Sequence, residues 1–227
     1  MARLGVITGL LSERDCLAVF AAADRPPTRC AGIGAAAARK ASSALIAEGC
    51  TALLSLGMAG GLDPDLKAGD VVIARRIVGA DGRSFATEET WRKSLLEVVA
   101  GDRVSIAPIA DSESVVTSVE AKQELRRRTG AAVVDMESMG VAEVAAEASV
   151  PFLALRAVAD SAECALPAWL LRGVGADGGL RPLAVAGGLL SRPWTWPVVA
   201  GLARDSRRAR AGLRRVAMLS GPAFGLR

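Results

Sequence analysis

Hydrophobic and polar positions alternate along the chain between short apolar runs and longer segments with a helical period. The apolar runs RLGVITGLL, TALLSLG, GDVVIARRIV, RVSIAPIA, AAVVDM and VPFLALRAVAD are typical of buried strands. The segments AAAARKASSALIAEGC, SVEAKQELRRRTG and ESMGVAEVAAEAS predict helices, and Gly130 closes the second. Strands and helices alternating over most of the length predict a three-layer α/β/α fold around a largely buried sheet.

Length and composition favour one main domain. The chain has 227 residues and is 51% hydrophobic, which is enough for one well-buried α/β core. The N-terminus lacks the features of a signal peptide, and no apolar run reaches the length of a membrane span, so we expect a cytoplasmic protein. The four cysteines show no CxxC spacing, and we expect no metal site.

Two absent residue types restrict the chemistry. The chain contains no histidine and no tyrosine. This composition excludes a Ser-His-Asp triad, a Cys-His dyad, an imidazole base and a tyrosine acid. Any catalysis must therefore use carboxylates, lysine or arginine, hydroxyls, thiols or backbone amides.

Two glycine-rich turns are candidate ligand loops. GIGAAA, residues 32–37, fits a dinucleotide fingerprint, but the acidic residue expected about twenty residues later is missing. GMAGG, residues 57–61, follows a strand, and its glycines would let backbone N–H groups approach an anion or a polar substrate. The alternative for GMAGG is a tight turn that needs a positive φ.

Carboxylates occur where several predicted strands end, which is where ligand crevices open in α/β folds. Glu13 follows the first strand, Asp135 and Glu137 follow a late strand, and Asp160 ends another. Helix capping is the alternative for Asp135 and Glu137. Arg156 lies within an apolar strand, so it should face either a polar pocket or a core acid in a structural ion pair.

Five segments together resemble the superfamily of purine nucleoside phosphorylases and methylthioadenosine nucleosidases. They are GVITGLLSE, GIGAAAARKAS, SLGMAGGLDPDLKAGDVVIA, VVDMES and PFLALRAVADSA, in the family's order. The resemblance implies a central mixed sheet, a purine nucleoside substrate and a homodimer or higher homo-oligomer. It implies no cofactor, although phosphate would be a co-substrate in a phosphorylase.

The resemblance also implies roles for individual residues. Asp160 would protonate the purine leaving group, and Glu13 would act at the nucleophile. Glu137 would accept hydrogen bonds from the ribose hydroxyls, which leaves Asp135 a structural role. The remaining substrate-binding positions are Met136 on the sugar, Arg156 at the nucleophile, Gly57, Met58 and Gly60 in the adjoining loop, and Ser114 and Val115 at the base.

Two departures from the family pattern leave the nucleophile open. Met58 and Ala159 stand where the family usually has serines. A phosphorylase would need an anion site, for which Arg156, Arg14 and the GMAGG amides are candidates. A hydrolase would instead use Glu13 to activate water.

The C-terminal quarter differs from the catalytic domain that we predict over residues 1–180. Residues 181–227 are expected to form a basic helical extension, which contains Trp194 and Trp196. Its arginine cluster comprises Arg204, Arg207, Arg208, Arg210, Arg214 and Arg215. The pattern favours either a segment at a membrane interface or a basic helix packed on the domain by its leucines. No motif supports a nucleic-acid partner.

Together with LPAWLLRGVGADGGLRPL, this tail resembles the hopanoid-associated phosphorylases. That resemblance implies removal of adenine from adenosylhopane, a lipid-linked nucleoside, by an enzyme peripherally associated with the inner membrane. Two alternatives share the predicted site. One is a soluble nucleosidase for methylthioadenosine or S-adenosylhomocysteine, and the other is a catalytically silent nucleoside-binding protein.

Overall fold

The computed structural model describes residues 2–99, 101, 103–167, 169–170 and 191–226. Its strands are β1 (Leu4–Thr8), β2 (Thr28–Cys30), β3 (Ala52–Gly61), β4 (Val71–Val78), β5 (Ser84–Ala86), β6 (Val104–Asp111), β7 (Val133–Asp135) and β8 (Phe152–Asp160). Its α-helices are α1 (Leu11–Arg14), α2 (Ala35–Ala47), α3 (Glu89–Val99), α4 (Val119–Thr129), α5 (Ser138–Glu147) and α6 (Trp196–Ser220). Short 3₁₀ helices span Asp15–Val19, Ala22–Asp24 and Pro193–Thr195.

The eight strands form one mixed sheet, as predicted. The strand order is β2-β1-β3-β7-β6-β4-β5, and β8 pairs with both β3 and β4. These pairings close a ring through β3, β8, β4, β6 and β7. Only β1, β2 and β5 lie outside the ring among the described strands. The closure was not predicted, because strand partners are not readable from the hydrophobic pattern alone.

Helices cover the sheet on two sides, which confirms the predicted α/β class. Helices α2 and α5 pack over one set of buried residues, including Leu45, Ile77 and Val141. Helices α3 and α6 pack over the other set, including Leu95 and Leu213. Both β3 and β8 are buried over almost their whole length. The two strands therefore form the centre of the core.

Helix α6 belongs to this core through its C-terminal half. Ala209, Leu213, Val216 and Ala217 are completely buried among residues from the strands and α3. This part of the tail therefore packs on the domain, which is the second of the two arrangements that its sequence favours. The predicted boundary between residues 180 and 181 lies outside the described residues. Among the described helices, none is both long and apolar enough to cross a bilayer.

A close contact between Gly69 and Gly212 brings α6 against the loop before β4. A Cβ added to Gly212 would lie 2.6 Å from the carbonyl oxygen of Gly69, in the loop before β4. Gly69 has a φ of 91°, a conformation that L side chains rarely adopt. Backbone contact between helix and loop therefore requires glycine at both positions.

Substituting glycines within α6 tests this contact. Gly212→Ala is expected to lower the free energy of unfolding by about 1–3 kcal/mol, because its methyl group meets a backbone oxygen. Gly201→Ala in the same helix has no neighbouring atom within 4 Å and should raise stability by up to about 1 kcal/mol. Urea unfolding of both variants makes the comparison, and equal effects would contradict the contact.

Candidate functional site

A cavity of about 300 Å³ opens where β1, β7 and β8 end, beside the last residues of β3. Eight of the ten predicted site residues line it: Glu13, Met58, Gly60, Ser114, Val115, Met136, Glu137 and Asp160. Residues that are distant in sequence thus meet at one place. The remaining two, Gly57 and Arg156, are not among its lining residues.

Glu13 is held in the cavity wall by backbone amides. Its Oε2 accepts hydrogen bonds from the N–H groups of Gly9 (2.9 Å) and Leu10 (2.8 Å), and its Oε1 accepts one from Met58 (2.7 Å). Burial raises the pKa of Glu13, while these amides and the Arg156 guanidinium act in the opposite direction. The carboxyl group therefore has a fixed position next to the cavity.

Gly57 contributes by leaving space for that carboxyl group. A Cβ at Gly57 would lie 2.9 Å from Glu13 Oε1. Gly57 lies within β3 and not in the predicted loop, and it supports Glu13 without being among the residues that line the cavity.

Glu137 lies at the start of α5, between two glycine turns. Its Oε1 accepts a hydrogen bond from the Gly34 N–H at 3.2 Å, and its carboxyl group lies against Gly9. Burial raises the pKa of Glu137 to about 7, with a further contribution from the negative charge of Asp135. The GIGAAA turn therefore supports a site carboxylate, a role that the sequence did not reveal.

Asp160, at the end of β8, pairs with a lysine that the sequence analysis missed. Lys122 Nζ donates to Asp160 Oδ2, to the carbonyl of Ser161 at 2.7 Å and to that of Cys164 at 2.9 Å. Lys122 is completely buried. Burial raises the pKa of Asp160, and the ammonium group opposes this shift. One sequence signal could have indicated that Lys122 is buried. It lies on α4 one turn before Leu125, which is partly buried, so the two side chains share a face of the helix.

Arg156 forms a buried ion pair, and its predicted place at the nucleophile stays a prediction. Its Nε donates to Asp135 Oδ2, its Nη2 to Ser55 Oγ at 2.7 Å, and its Nη1 to the carbonyl of Leu155 at 3.1 Å. Asp135 also accepts from the Ser138 hydroxyl. Of the two surroundings expected for Arg156, the structure therefore shows the ion pair with a core acid. That acid is Asp135.

The edge of the cavity is apolar. Val115, Val116 and Leu166 line it, and Ser114 lies exposed beside them. Arg14, a candidate for an anion site, is half exposed and pairs with Asp15 at 3.2 Å. It does not line the cavity.

Acids line the cavity, and the described residues of its wall include no cation. Its titratable lining residues are Glu13, Asp135, Glu137 and Asp160, and no lysine or arginine is among the described residues that line it. The two nearby cations, Lys122 and Arg156, are buried behind their carboxylates. No group of His, Cys, Asp and Glu suited to a metal ion occurs in the described part of the chain. This arrangement suits a reaction that develops positive charge on its substrate.

Comparison with known proteins assigns the chain to a family. The family model of the phosphorylase superfamily matches residues 28–172. The chain belongs to the phosphorylase superfamily.

Among curated proteins, the chain is 34% identical over 116 residues to a 5'-methylthioadenosine/S-adenosylhomocysteine nucleosidase of Thermotoga maritima. The match covers 48% of this chain and 53% of that protein. A Staphylococcus aureus protein of the same name is 30% identical over 129 residues, covering 48% and 57%. The chain thus spans little more than half the length of these relatives.

Two solved structures share the fold over nearly the whole chain. The 5'-methylthioadenosine/S-adenosylhomocysteine nucleosidase of Neisseria meningitidis, in complex with methylthio-immucillin-A, has a TM-score of 0.71 at 19% identity. The futalosine hydrolase of Helicobacter pylori has a TM-score of 0.69 at 18% identity. Each match covers 96% of this chain and 97% of the other. At this identity the likeness establishes the fold.

Because the pKa of Glu137 is raised, replacing its carboxyl group by a neutral amide is expected to increase the free energy of unfolding by an amount that depends on pH. The folded protein holds a proton on Glu137 up to about pH 7, whereas the ordinary pKa of a glutamate side chain is 4.5. The wild type therefore loses stability as the pH rises from about 4.5 to about 7. Glu137→Gln should be more stable at pH 8, by roughly 1–3 kcal/mol, and should gain little below pH 4.5.

Urea unfolding at pH 4.5 and pH 8 checks this expectation. Glu163→Gln is the matched control because Glu163 is exposed, just beyond β8. A Glu137→Gln effect that does not change with pH would contradict the burial of a carboxylate at this position.

Proposed function

We propose that the protein hydrolyses the N-glycosidic bond of a purine nucleoside and releases the base. The observation that carries this proposal is the meeting of Asp160, Glu137 and Glu13 around one cavity. Cleavage of this bond builds positive charge on the sugar and negative charge on the purine. The reaction therefore needs an acid near the base and carboxylates near the sugar.

Each carboxyl group has a role that fits its surroundings. Asp160 gives a proton to a ring nitrogen of the leaving purine, and Lys122 orients its carboxyl group. Glu137 accepts hydrogen bonds from the ribose hydroxyls, which strengthen as positive charge develops on the sugar. Glu13, fixed by three backbone amides, takes a proton from the attacking water.

The charge of the cavity favours water over phosphate as the nucleophile. A phosphate dianion would enter a space lined by carboxylates, with no lysine or arginine among the described lining residues. Arg156, the predicted anion ligand, is occupied by Asp135 and Ser55. Neutral water meets no such repulsion and finds a base in Glu13.

For the substrate we propose an adenine nucleoside with a large apolar 5' substituent, namely adenosylhopane. Supporting this choice, Met58, Ala159 and Leu10 present apolar groups to the cavity, as does Leu166. The curated relatives are named for adenine nucleosides with 5' thioether groups. The lipid substrate agrees with the basic, tryptophan-containing tail, for which we propose peripheral association with the membrane.

Adenine release tests the proposed reaction. Adenosylhopane in detergent and methylthioadenosine in buffer are offered in parallel, each with and without phosphate. Release from adenosylhopane that is independent of phosphate is the expected result. Dependence on phosphate would contradict hydrolysis, and release from methylthioadenosine alone would identify a nucleosidase for small thioethers. Binding without release would identify a nucleoside-binding protein.

Substitution of Asp160 tests the assignment of the acid. Asp160→Asn is expected to slow base release by about 10²- to 10⁴-fold, the usual contribution of a general acid. It also leaves Lys122 buried without its counter-charge, which typically costs about 3–5 kcal/mol of stability. The double variant Lys122→Met with Asp160→Asn removes both charges and should recover stability without recovering activity.

Measurement of turnover and thermal unfolding on both variants separates these effects. Recovery of base release in the double variant would mean that Asp160→Asn acts only through folding. Near-normal release in both variants would remove Asp160 from the reaction.

A further inference from the structure

The ammonium group of Lys122 lies behind the candidate acid, outside the lining of the cavity. Lys122 is completely buried and is not among the residues that line the cavity. It reaches the end of β8 from the first turn of α4, which Ser118 caps by accepting a hydrogen bond from the Ala121 N–H at 3.1 Å. Any part that Lys122 takes in the reaction must therefore act through Asp160.

The position of this ammonium group is fixed by three acceptors. Its three N–H bonds are matched by the Asp160 carboxyl group and by the carbonyl oxygens of Ser161 and Cys164, the latter two at 2.7 and 2.9 Å. Both carbonyls belong to one turn, in which the Cys164 N–H donates to the Ser161 carbonyl at 3.1 Å. Because all of its donors are in use, the ammonium group cannot turn away from Asp160 without breaking a buried hydrogen bond.

The two oxygens of the Asp160 carboxyl group have different surroundings. Oδ2 accepts the hydrogen bond from Lys122, whereas Oδ1 accepts none within the described part of the chain. Asp160 lines the cavity, so Oδ1 is the oxygen left for a ligand. Because Oδ2 already accepts from an ammonium group, the acid form of Asp160 carries its proton on Oδ1.

Charged and titratable groups from several elements act on Asp160. Burial raises the pKa of Asp160, the Lys122 ammonium group lowers it by its charge and its hydrogen bond, and Asp205 on α6 raises it further. The other titratable groups nearby are the Cys164 thiol and the cavity carboxyl groups of Glu13, Asp135 and Glu137. Among these described groups, Lys122 is the one whose charge favours the ionised form of Asp160.

We propose that Lys122 is a positioning residue that directs the Asp160 proton to the leaving base and then stabilises the carboxylate that remains. In this step the glycosidic C–N bond breaks, and its electron pair goes to the purine, which takes the proton from Oδ1. Water forms the new C–O bond and loses its proton to Glu13. Asp160 becomes an anion beside an ammonium group that is already in place. This inference rests on the proposed function, because it takes Asp160 as the acid.

The pH dependence of base release tests this role. Base release needs the protonated form of Asp160, so its rate falls as the pH rises through the pKa of that group. Lys122→Met removes the charge that lowers this pKa, so the fall is expected to move to higher pH by about 1–3 pH units. The rate at the optimum should drop by about tenfold, which is less than the loss expected for Asp160→Asn.

Further variants make the test specific to Lys122. Arg127→Met is the matched control, because it removes one positive charge from the same helix at an exposed position, and its pH profile should stay unchanged. Lys122→Arg keeps the charge and should keep the fall near its wild-type pH. Lys122→Gln, which keeps a donor for the carbonyl groups, takes the place of Lys122→Met if thermal unfolding shows that the methionine variant is not folded.

A second readout follows the same group without turnover. The pKa of Asp160 is measured from the carboxyl NMR signal that is absent in Asp160→Asn, in the wild type and in Lys122→Met. We expect a higher pKa in the variant. An equal or lower pKa would overturn the positioning role, whether or not base is released.

The two readouts separate this inference from the proposed function. A fall that moves to higher pH in Lys122→Met, and not in Arg127→Met, supports the positioning role. Base release whose fall stays in place, or moves equally in both variants, overturns the positioning role and leaves the proposed function standing. A folded wild type that releases no purine base overturns the proposed function, and with it the role of Lys122 in proton transfer.

Discussion

The site depends on keeping several carboxyl groups out of water around one cavity. Glu13, Glu137 and Asp160 are all largely buried, and burial is the main cause that raises the pKa of each. Unpaired buried charge is costly, so the surrounding fold must supply compensation. It does so in two ways. Backbone amides hold Glu13 and Glu137, while a buried lysine holds Asp160.

This compensation explains the placement of glycines and cations around the cavity. Glycines at positions 9, 34 and 57 bring main-chain atoms against the glutamates, where a larger residue would collide or be strained. Lys122 and Arg156 lie behind acids and do not line the cavity. The cavity therefore keeps an acidic lining, and the two buried cations pair with Asp160 and Asp135. In the proposed reaction, the positive charge that develops on the sugar is stabilised by groups already in place.

Much of the fold and of the site could be predicted because each left a local signal. Apolar runs marked the buried strands, Gly130 marked the end of α4, and acids at strand ends marked the cavity. Short edge strands such as β2 and β5 gave no such signal, since three residues carry too little pattern. Lys122 was missed because a lysine on a charged helix usually faces solvent. For Arg156 the sequence left two alternatives, a polar pocket or a structural ion pair, because it does not state which acid a buried arginine meets.

The closed ring of strands has a consequence for how such a protein can change its substrate. Glu137 follows β7, and Asp160 is the last residue of β8. Both strands pair directly with β3. The separation of the two carboxyl groups is therefore set by interstrand hydrogen bonds, which mutations in surface loops leave intact. Ser114, Val115 and Leu166 lie on connecting segments outside the ring. Under the proposed function, bond cleavage and substrate choice are thus encoded in separate parts of the chain, and the second can diverge while the first stays constant.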